Sequence, residues 1–309
     1  MIMPTNHNPT KPTPSRHREA DPIDWHQPPA TFLDAGHSEL AYRKVGQGPD
    51  VLLVHGWPVS SSTWRGMLPA LAERFTCHMV DLPGAGFTRW RDRSVIDLRA
   101  HVDTLQKAIE LIGLERYALV SHDSGAAIAR HVAARDTERV AGLVMGNTEI
   151  PGHFPWQLTL YLAAARLPGG AAMFTKMLQS RLIRHSPLIY GACFDDVAFA
   201  DGDFHDLCTR PILEDARHRE GTLALLDTFD MTVLKELPRV HRRIEAPVQL
   251  VWGKDDPFFP LLKAKTMLSQ FQQAELTVLD PGKLFVHEER PDAFADAAIP
   301  FLERCLSQP

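Results

Sequence analysis

The chain has 309 residues, is 44% apolar and 23% charged, and carries a formal net charge of -5. That composition suits an ordinary globular protein with one large core plus an insertion, and the charge makes no general electrostatic case for nucleic acid or an acidic membrane as partner. No run of about 18 apolar residues exists to cross a bilayer, and Cys77, Cys193, Cys208 and Cys305 lie scattered without metal-type spacing, so the reading is a reduced, cytoplasmic protein with inert thiols and no metal.

Residues 1–30 are rich in Pro, Thr, His and Asn and lack an apolar leader region, which predicts a flexible tail. Residues 31–45 alternate weakly around Gly36, as in a leading hairpin. The continuous apolar run Val51-Leu52-Leu53-Val54 reads as a strand buried on both faces and enters His55-Gly56-Trp57-Pro58. Helical spacing continues through Trp64, Leu68 and Leu71, then a strand from Cys77 to Val80 ends in the breaker-rich turn Asp81-Leu82-Pro83-Gly84-Ala85-Gly86. Residues 95–113 form a helix closed by Gly113, and Val140–Met145 a further strand. From 152 to 238 only helical spacing appears, after which strand and helix alternate again: 247–252, 258–271, 274–279 and a final helix beginning at Pro291. The pattern predicts an α/β protein with a mostly parallel, doubly wound sheet, a core of 31–151 and 239–309, and an inserted helical cap of 152–238.

Between the helix closed by Gly113 and the strand Val140–Met145 lie residues 117–134, an apolar strand running directly into a helix with Asp123 at the join. Ser121 precedes it by two residues and Gly125 comes two after, the small-x-nucleophile-x-small pattern of a strained turn that lifts one side chain clear of a sheet. A carboxylate so placed could attack carbon and form an ester; alternatively Asp123 only caps the next helix. Two later loops also leave strands: Gly253-Lys254-Asp255-Asp256-Pro257, and Gly282 to Pro291 with His287-Glu288-Glu289. Chain order is then nucleophile, acid, base.

Five motifs carry a family resemblance: His55-Gly56-Trp57-Pro58, Asp81 to Gly86, His122-Asp123-Ser124-Gly125, Gly253 to Pro257, and His287-Glu288-Glu289. From residue 31 onward the chain resembles the aspartate-nucleophile branch of the α/β-hydrolase fold, the epoxide hydrolases and haloalkane dehalogenases. The resemblance implies Asp123 as nucleophile, His287 as the base that activates water, Asp256 as the acid orienting it, and the backbone N–H groups of Trp57 and Ser124 as an oxyanion hole. Asp255 and Glu149 compete with Asp256 for the acid, and Ser124 competes with Asp123 as a serine-esterase nucleophile. His55 and Asp81 read as structural, and His122 should point away from its neighbour.

The sequence departs from both branches. Epoxide hydrolases use two cap tyrosines as proton donors; here only Tyr161 and Tyr190 are available, and Leu225-Leu226-Asp227 stands near the expected second place. Dehalogenases cradle the halide with a tryptophan after the nucleophile, where this chain has Ser124, leaving the Trp57 indole as a substitute. The arginines that grip a carboxylate in fluoroacetate dehalogenases are replaced by Ser124 and Ala127. What remains is an apolar pocket expected to include Trp57, Trp156, Tyr161, Tyr190 and Phe285, suited to a small uncharged substrate and water, with no cofactor. The expected activity is that of an epoxide hydrolase, with haloalkane dehalogenase, serine esterase through Ser124, or an idle ligand-binding protein as alternatives.

Overall fold

The structure, a computed structural model, describes residues 23–307. Nine strands form one sheet: β1 Thr31–Asp34, β2 Ser38–Val45, β3 Asp50–Val54, β4 Thr76–Val80, β5 Arg89–Trp90, β6 Tyr117–Ser121, β7 Val140–Met145, β8 Val248–Gly253 and β9 Ala274–Leu279. The order is β1-β2-β4-β3-β6-β7-β8-β9, with β5 paired to β2. The β1–β2 hairpin pairs antiparallel, β2 pairs antiparallel with β4, and the six strands from β4 to β9 along that path are parallel. This is the doubly wound sheet that the strand and helix alternation predicts, and β6 lies at its centre because the chain reverses its winding direction there.

Every residue of β3, β4 and β6 except Asp50 is buried. Parallel strands need crossover helices, and these cover both faces. Two apolar layers result. One holds Leu52, Val54, Leu119, Ile128, Leu284 and Phe285. The other, across the sheet, holds Val51, Leu53, Val120, Trp64, Val286 and Phe294. Alternate residues of β3 and β6 thus serve opposite layers, as the two-residue period of a strand demands.

Several expected boundaries shift. Residues 1–22 lie outside the described residues, but Trp25 of the supposed tail is buried in the second layer, with the Arg43 guanidinium 5.2 Å from its ring. The helix expected through Trp64 and Leu71 divides into a 3-10 turn, Ser61–Trp64, and a short helix, Leu68–Ala72. That expected over 258–271 shrinks to Leu261–Ala264 and then the 3-10 turn Lys265–Gln270. Between β7 and β8 the described chain is helical and irregular, without a strand. Its last helix, Met231–His241, runs across the expected boundary at 238 and contributes Val233, Leu237 and Val240 to the first layer.

Candidate active site

The helix Ser124–Arg135 begins directly after Asp123, whose backbone sits at φ 50° and ψ -139°. Among the described non-glycine residues, Asp123 alone has a positive φ, a conformation that costs energy in an L-residue and persists only where the surroundings enforce it. They do so here. Asp123 N–H donates to the Asn147 carbonyl at 2.9 Å, and Thr148 Oγ1 donates to the Asp123 carbonyl at 2.9 Å. Gly125 is required because an added Cβ would lie 2.2 Å from the His55 carbonyl oxygen, and at Gly56 it would lie 2.7 Å from the Asp123 Cβ. The small flanks therefore reflect close packing as well as the turn. Asp123 makes no side-chain bond that caps the helix, so the capping alternative falls.

Trp57 N–H donates to Asp123 Oδ2 at 3.0 Å, and the polar groups of Ser124, next in the chain, also favour the ionised carboxylate. Of the two expected oxyanion donors, the Trp57 N–H is thus aimed at this carboxylate. Burial, and after it the nearby charge of Glu149, pushes the Asp123 carboxyl up to about 8 against the opposing pull of those donors. Asp123 forms the floor of a cavity of about 310 Å³, walled by Trp57, Tyr161, Phe174, Leu284 and Phe285 among others. Almost the whole lining is apolar; Glu149 and Cys193 are among its few polar groups. The Cys193 thiol is pushed well up by burial, with the carboxylates of Asp256 and Asp123 adding to it.

The base is where the expectation fails. His287 is fully buried in the opposite layer, its ring centroid 5.0 Å from Trp64, 4.2 Å from His122 and 6.1 Å from Phe294. Its Nε2 lies 2.8 Å from Thr63 Oγ1, whose own proton goes to Glu288 Oε1 at 2.7 Å, so Nε2 is the donor. The His287 Nδ1 has no partner. Neither nitrogen meets Asp123 or Asp256, and burial holds the imidazole well below its ordinary titration range, with His122 and Arg65 adding to the effect. The chain crosses between layers just after Phe285, so the residue that this loop presents beside Asp123 is Leu284.

Asp256 is likewise no partner of an imidazole. Asn147 Nδ2 donates to its Oδ2 and Phe258 N–H to its Oδ1, each at 2.7 Å, and burial pushes the carboxyl up to about 6. It pins the β8 loop to the end of β7, where Asn147 Oδ1 also accepts from Gly253 N–H at 2.7 Å. Asp255 is exposed.

Other expectations divide. Phe285, Tyr161 and Tyr190 line the cavity, but the Tyr161 hydroxyl donates to the Leu188 carbonyl, and that of Tyr190 pairs with Thr209 Oγ1 at 2.9 Å. Burial pushes both phenols up. Trp156 is corrected: it is 63% exposed and off the cavity, because its helix buries Gln157 and Leu162 instead and the rotation of 100° per residue turns the Trp156 side chain outward. The Trp57 indole N–H, the substitute halide donor, is engaged by the Thr222 carbonyl at 2.8 Å. His55, as expected, is structural, its Nε2 accepting from Leu82 N–H at 2.9 Å. Asp81 fastens its turn by accepting from Ser61 and Phe87 N–H, each at 2.9 Å. His122 points away from Asp123 and donates to the Leu284 carbonyl at 2.9 Å. Among the described residues, no group of three or more His, Cys, Asp or Glu could hold a metal ion, and no helix is long and apolar enough to cross a membrane.

Glu149, weighed in the sequence only as a triad acid, proves to share the cavity wall. Thr148 Oγ1 lies 2.7 Å from its Oε2, and the fully buried Arg130 pairs with the same oxygen at 3.5 Å. Arg130 also donates to the Glu149 carbonyl at 3.0 Å and to Thr148 Oγ1 at 2.9 Å.

A sheet of this winding, with a strained elbow after its central strand and an enclosed cavity above it, defines an α/β-hydrolase. Comparison with known proteins agrees: residues 51–297 match the Alpha/beta hydrolase family, and the chain belongs to it. It is 26% identical over 281 residues to haloalkane dehalogenase 2 of Mycobacterium bovis, covering 87% of this chain and 93% of that one. It is also 26% identical over 295 residues to the magnesium-chelatase 30 kDa subunit of Rhodobacter capsulatus, covering 93% of each. A crystal structure of an alpha/beta hydrolase fold protein from Burkholderia ambifaria superimposes with a TM-score of 0.73 at 20% identity, over 90% of this chain and 98% of that one. The protein is an enzyme of the hydrolase family, with dehalogenase-like relatives.

Proposed function

We propose that this hydrolase acts through Asp123 on a small, neutral, apolar electrophile, forming an alkyl-enzyme ester that water then cleaves, with the helices of 152–238 serving as the cap over the site. The observation that carries this reading is the Asp123 carboxylate itself, raised on a positive-φ elbow with Oδ2 held 3.0 Å from Trp57 N–H, at the floor of an apolar cavity. The Trp57 N–H already aimed at Oδ2 would meet the charge that develops when the ester is attacked, and such a donor is worth on the order of 3 kcal/mol. The other oxygen is left to meet the substrate carbon. An acidic substrate fits poorly, since its charge would face both Asp123 and Glu149 in a low-dielectric pocket.

An epoxide is the leading substrate class. A haloalkane is the second reading, favoured by the dehalogenase relative, but the Trp57 indole is engaged by Thr222 and the Trp156 indole lies outside the cavity. A serine-esterase reading loses support because no imidazole among the described residues hydrogen-bonds Ser124: His55 Nε2 is taken by Leu82 N–H and His101 Nε2 by the Pro83 carbonyl. Incubation with styrene oxide and, separately, 1-bromohexane, then assay of diol and bromide, tests the reading. Diol formation that disappears in Asp123→Asn supports it; bromide release lost in that variant selects the second reading, and ligand binding with neither product points to an idle receptor.

A further inference from the structure

The cavity contains a nucleophile but not the imidazole that would release its ester, and the groups able to move a proton there are few. Cys193, Tyr161 and Tyr190 are all pushed up by burial and are poor bases near neutrality. The Ser124 hydroxyl is no base near neutrality, and both oxygens of Asp256 are engaged off the cavity. Leu284 and Phe285 occupy the wall that the loop after β9 provides. Glu149 remains. It is 4% exposed, lies on the cavity wall close enough for its charge to act on Asp123, and its Oε2 is braced by Thr148 and Arg130. Among the described residues no hydrogen bond engages its Oε1.

We propose that Glu149 is the acid and base of the reaction, replacing both the absent imidazole and the tyrosine pair. This rests on Asp123 being the nucleophile. The carboxyl pair holds one proton, and the cycle starts as that proton passes from Asp123 to Glu149 and leaves Asp123 ionised. Asp123 attacks a ring carbon of the epoxide, the carbon–oxygen bond breaks, and the ring oxygen takes the Glu149 proton, leaving a hydroxyalkyl ester and the Glu149 carboxylate. Water then attacks the ester carbonyl while Glu149 takes one of its protons. The tetrahedral intermediate, its oxyanion held by Trp57 and Ser124 N–H, expels the alkoxide, which receives the remaining proton of the added water. Diol leaves, Asp123 is again a carboxylate, Glu149 is again protonated, and epoxide plus water has been consumed. Two carboxyls alternating between nucleophile and acid/base work is established chemistry at other enzyme sites.

The test uses styrene oxide with wild type, Glu149→Gln, Glu149→Asp and Asp123→Asn, reading diol formation and intact protein mass. Because Arg130 loses its buried counter-ion in Glu149→Gln, thermal unfolding checks that variant, and Glu149→Asp keeps the charge while withdrawing the carboxylate by one methylene. The proposal expects diol formation to fall by roughly 100-fold or more in Glu149→Gln, to fall in Glu149→Asp, and an ester on Asp123 to accumulate in one or both. Turnover within about threefold of wild type in either folded Glu149 variant, with no ester retained, overturns the role of Glu149 and leaves the nucleophile standing. So does a wild-type protein that itself accumulates the ester without making diol. Undiminished diol formation by Asp123→Asn, or wild type that neither takes up label nor makes diol, overturns the nucleophile reading and this one with it.

Discussion

The loops after β6 and β9 carry the two residues on which a triad would depend, and they treat them oppositely. After β6 the turn is two residues long, Asp123 is forced to positive φ, and a twelve-residue helix fixes the chain direction immediately beyond it. Motif and geometry are then nearly the same thing, and the side chain reaches the cavity. After β9 six residues intervene before the one-turn helix Val286–Glu289. Over such a stretch each residue changes direction, so Leu284 faces the cavity while His287, three positions on, packs across the sheet against Trp64 and Phe294. A residue of the right type in a long loop is weaker information than one in a tight turn.

The largest expected effect that sharpens this contrast is at the elbow. Asp123→Asn should abolish ester formation, with diol production falling about 1000-fold or more, since it removes the proposed nucleophile. The same variant should raise the melting temperature, and more so at pH 8 than at pH 4. The sign comes from the raised carboxyl: folded Asp123, pushed up to about 8, holds its proton more tightly than the unfolded chain, whose carboxyl titrates near 4. Stability conferred by the protonated form is therefore lost as pH rises through that window. Esterification needs the one proton of the Glu149–Asp123 pair, so its rate should fall as pH rises past the titration of Asp123, about 8. The titratable or charged groups around it are Glu149, with Arg130 and His241 behind, and Cys193 and Asp256, so a displaced midpoint in Glu149→Gln reports on that neighbour.

On the far face, His287→Ala should cost stability instead, about 2–4 kcal/mol from the lost packing and the lost hydrogen bond to Thr63 Oγ1, read by denaturant unfolding, while folded protein keeps its turnover. Ser124→Ala is expected to slow turnover by only about threefold to tenfold, because Asp123 loses one of several groups that favour its ionised carboxylate; total loss would revive the serine nucleophile. Smallest of all, Trp156→Ala should leave KM unchanged and stability within about 0.5 kcal/mol, as suits a side chain 63% exposed and off the cavity.

Much of this was legible in the chain itself. The hairpin, the parallel strands and the helix closed by Gly113, at φ 79°, come from local apolar runs and breakers, signals that survive without tertiary context. Asp123, Trp57 and Ser124 were legible because short turns tie sequence spacing to direction. Trp156 was not, since a largely apolar helix whose polar Gln157 is among its buried residues does not say which side is covered. Nor were the two carboxyl environments: Asn147 takes the Asp256 oxygen that an imidazole would have needed, and Arg130 reaches Glu149 from nineteen positions away. Long-range partners of that kind leave no periodic trace. The eight-residue distance from the end of β9 to His287, against five for Leu284, was the available warning.

The central claim is that the ester on Asp123 is released without the imidazole. Its most direct test is the steady-state turnover and intact mass of His287→Gln, in which the amide can still donate to Thr63, after incubation with styrene oxide. The account predicts diol at the wild-type rate and no retained adduct; an ester that persists on Asp123 while turnover stops would contradict it.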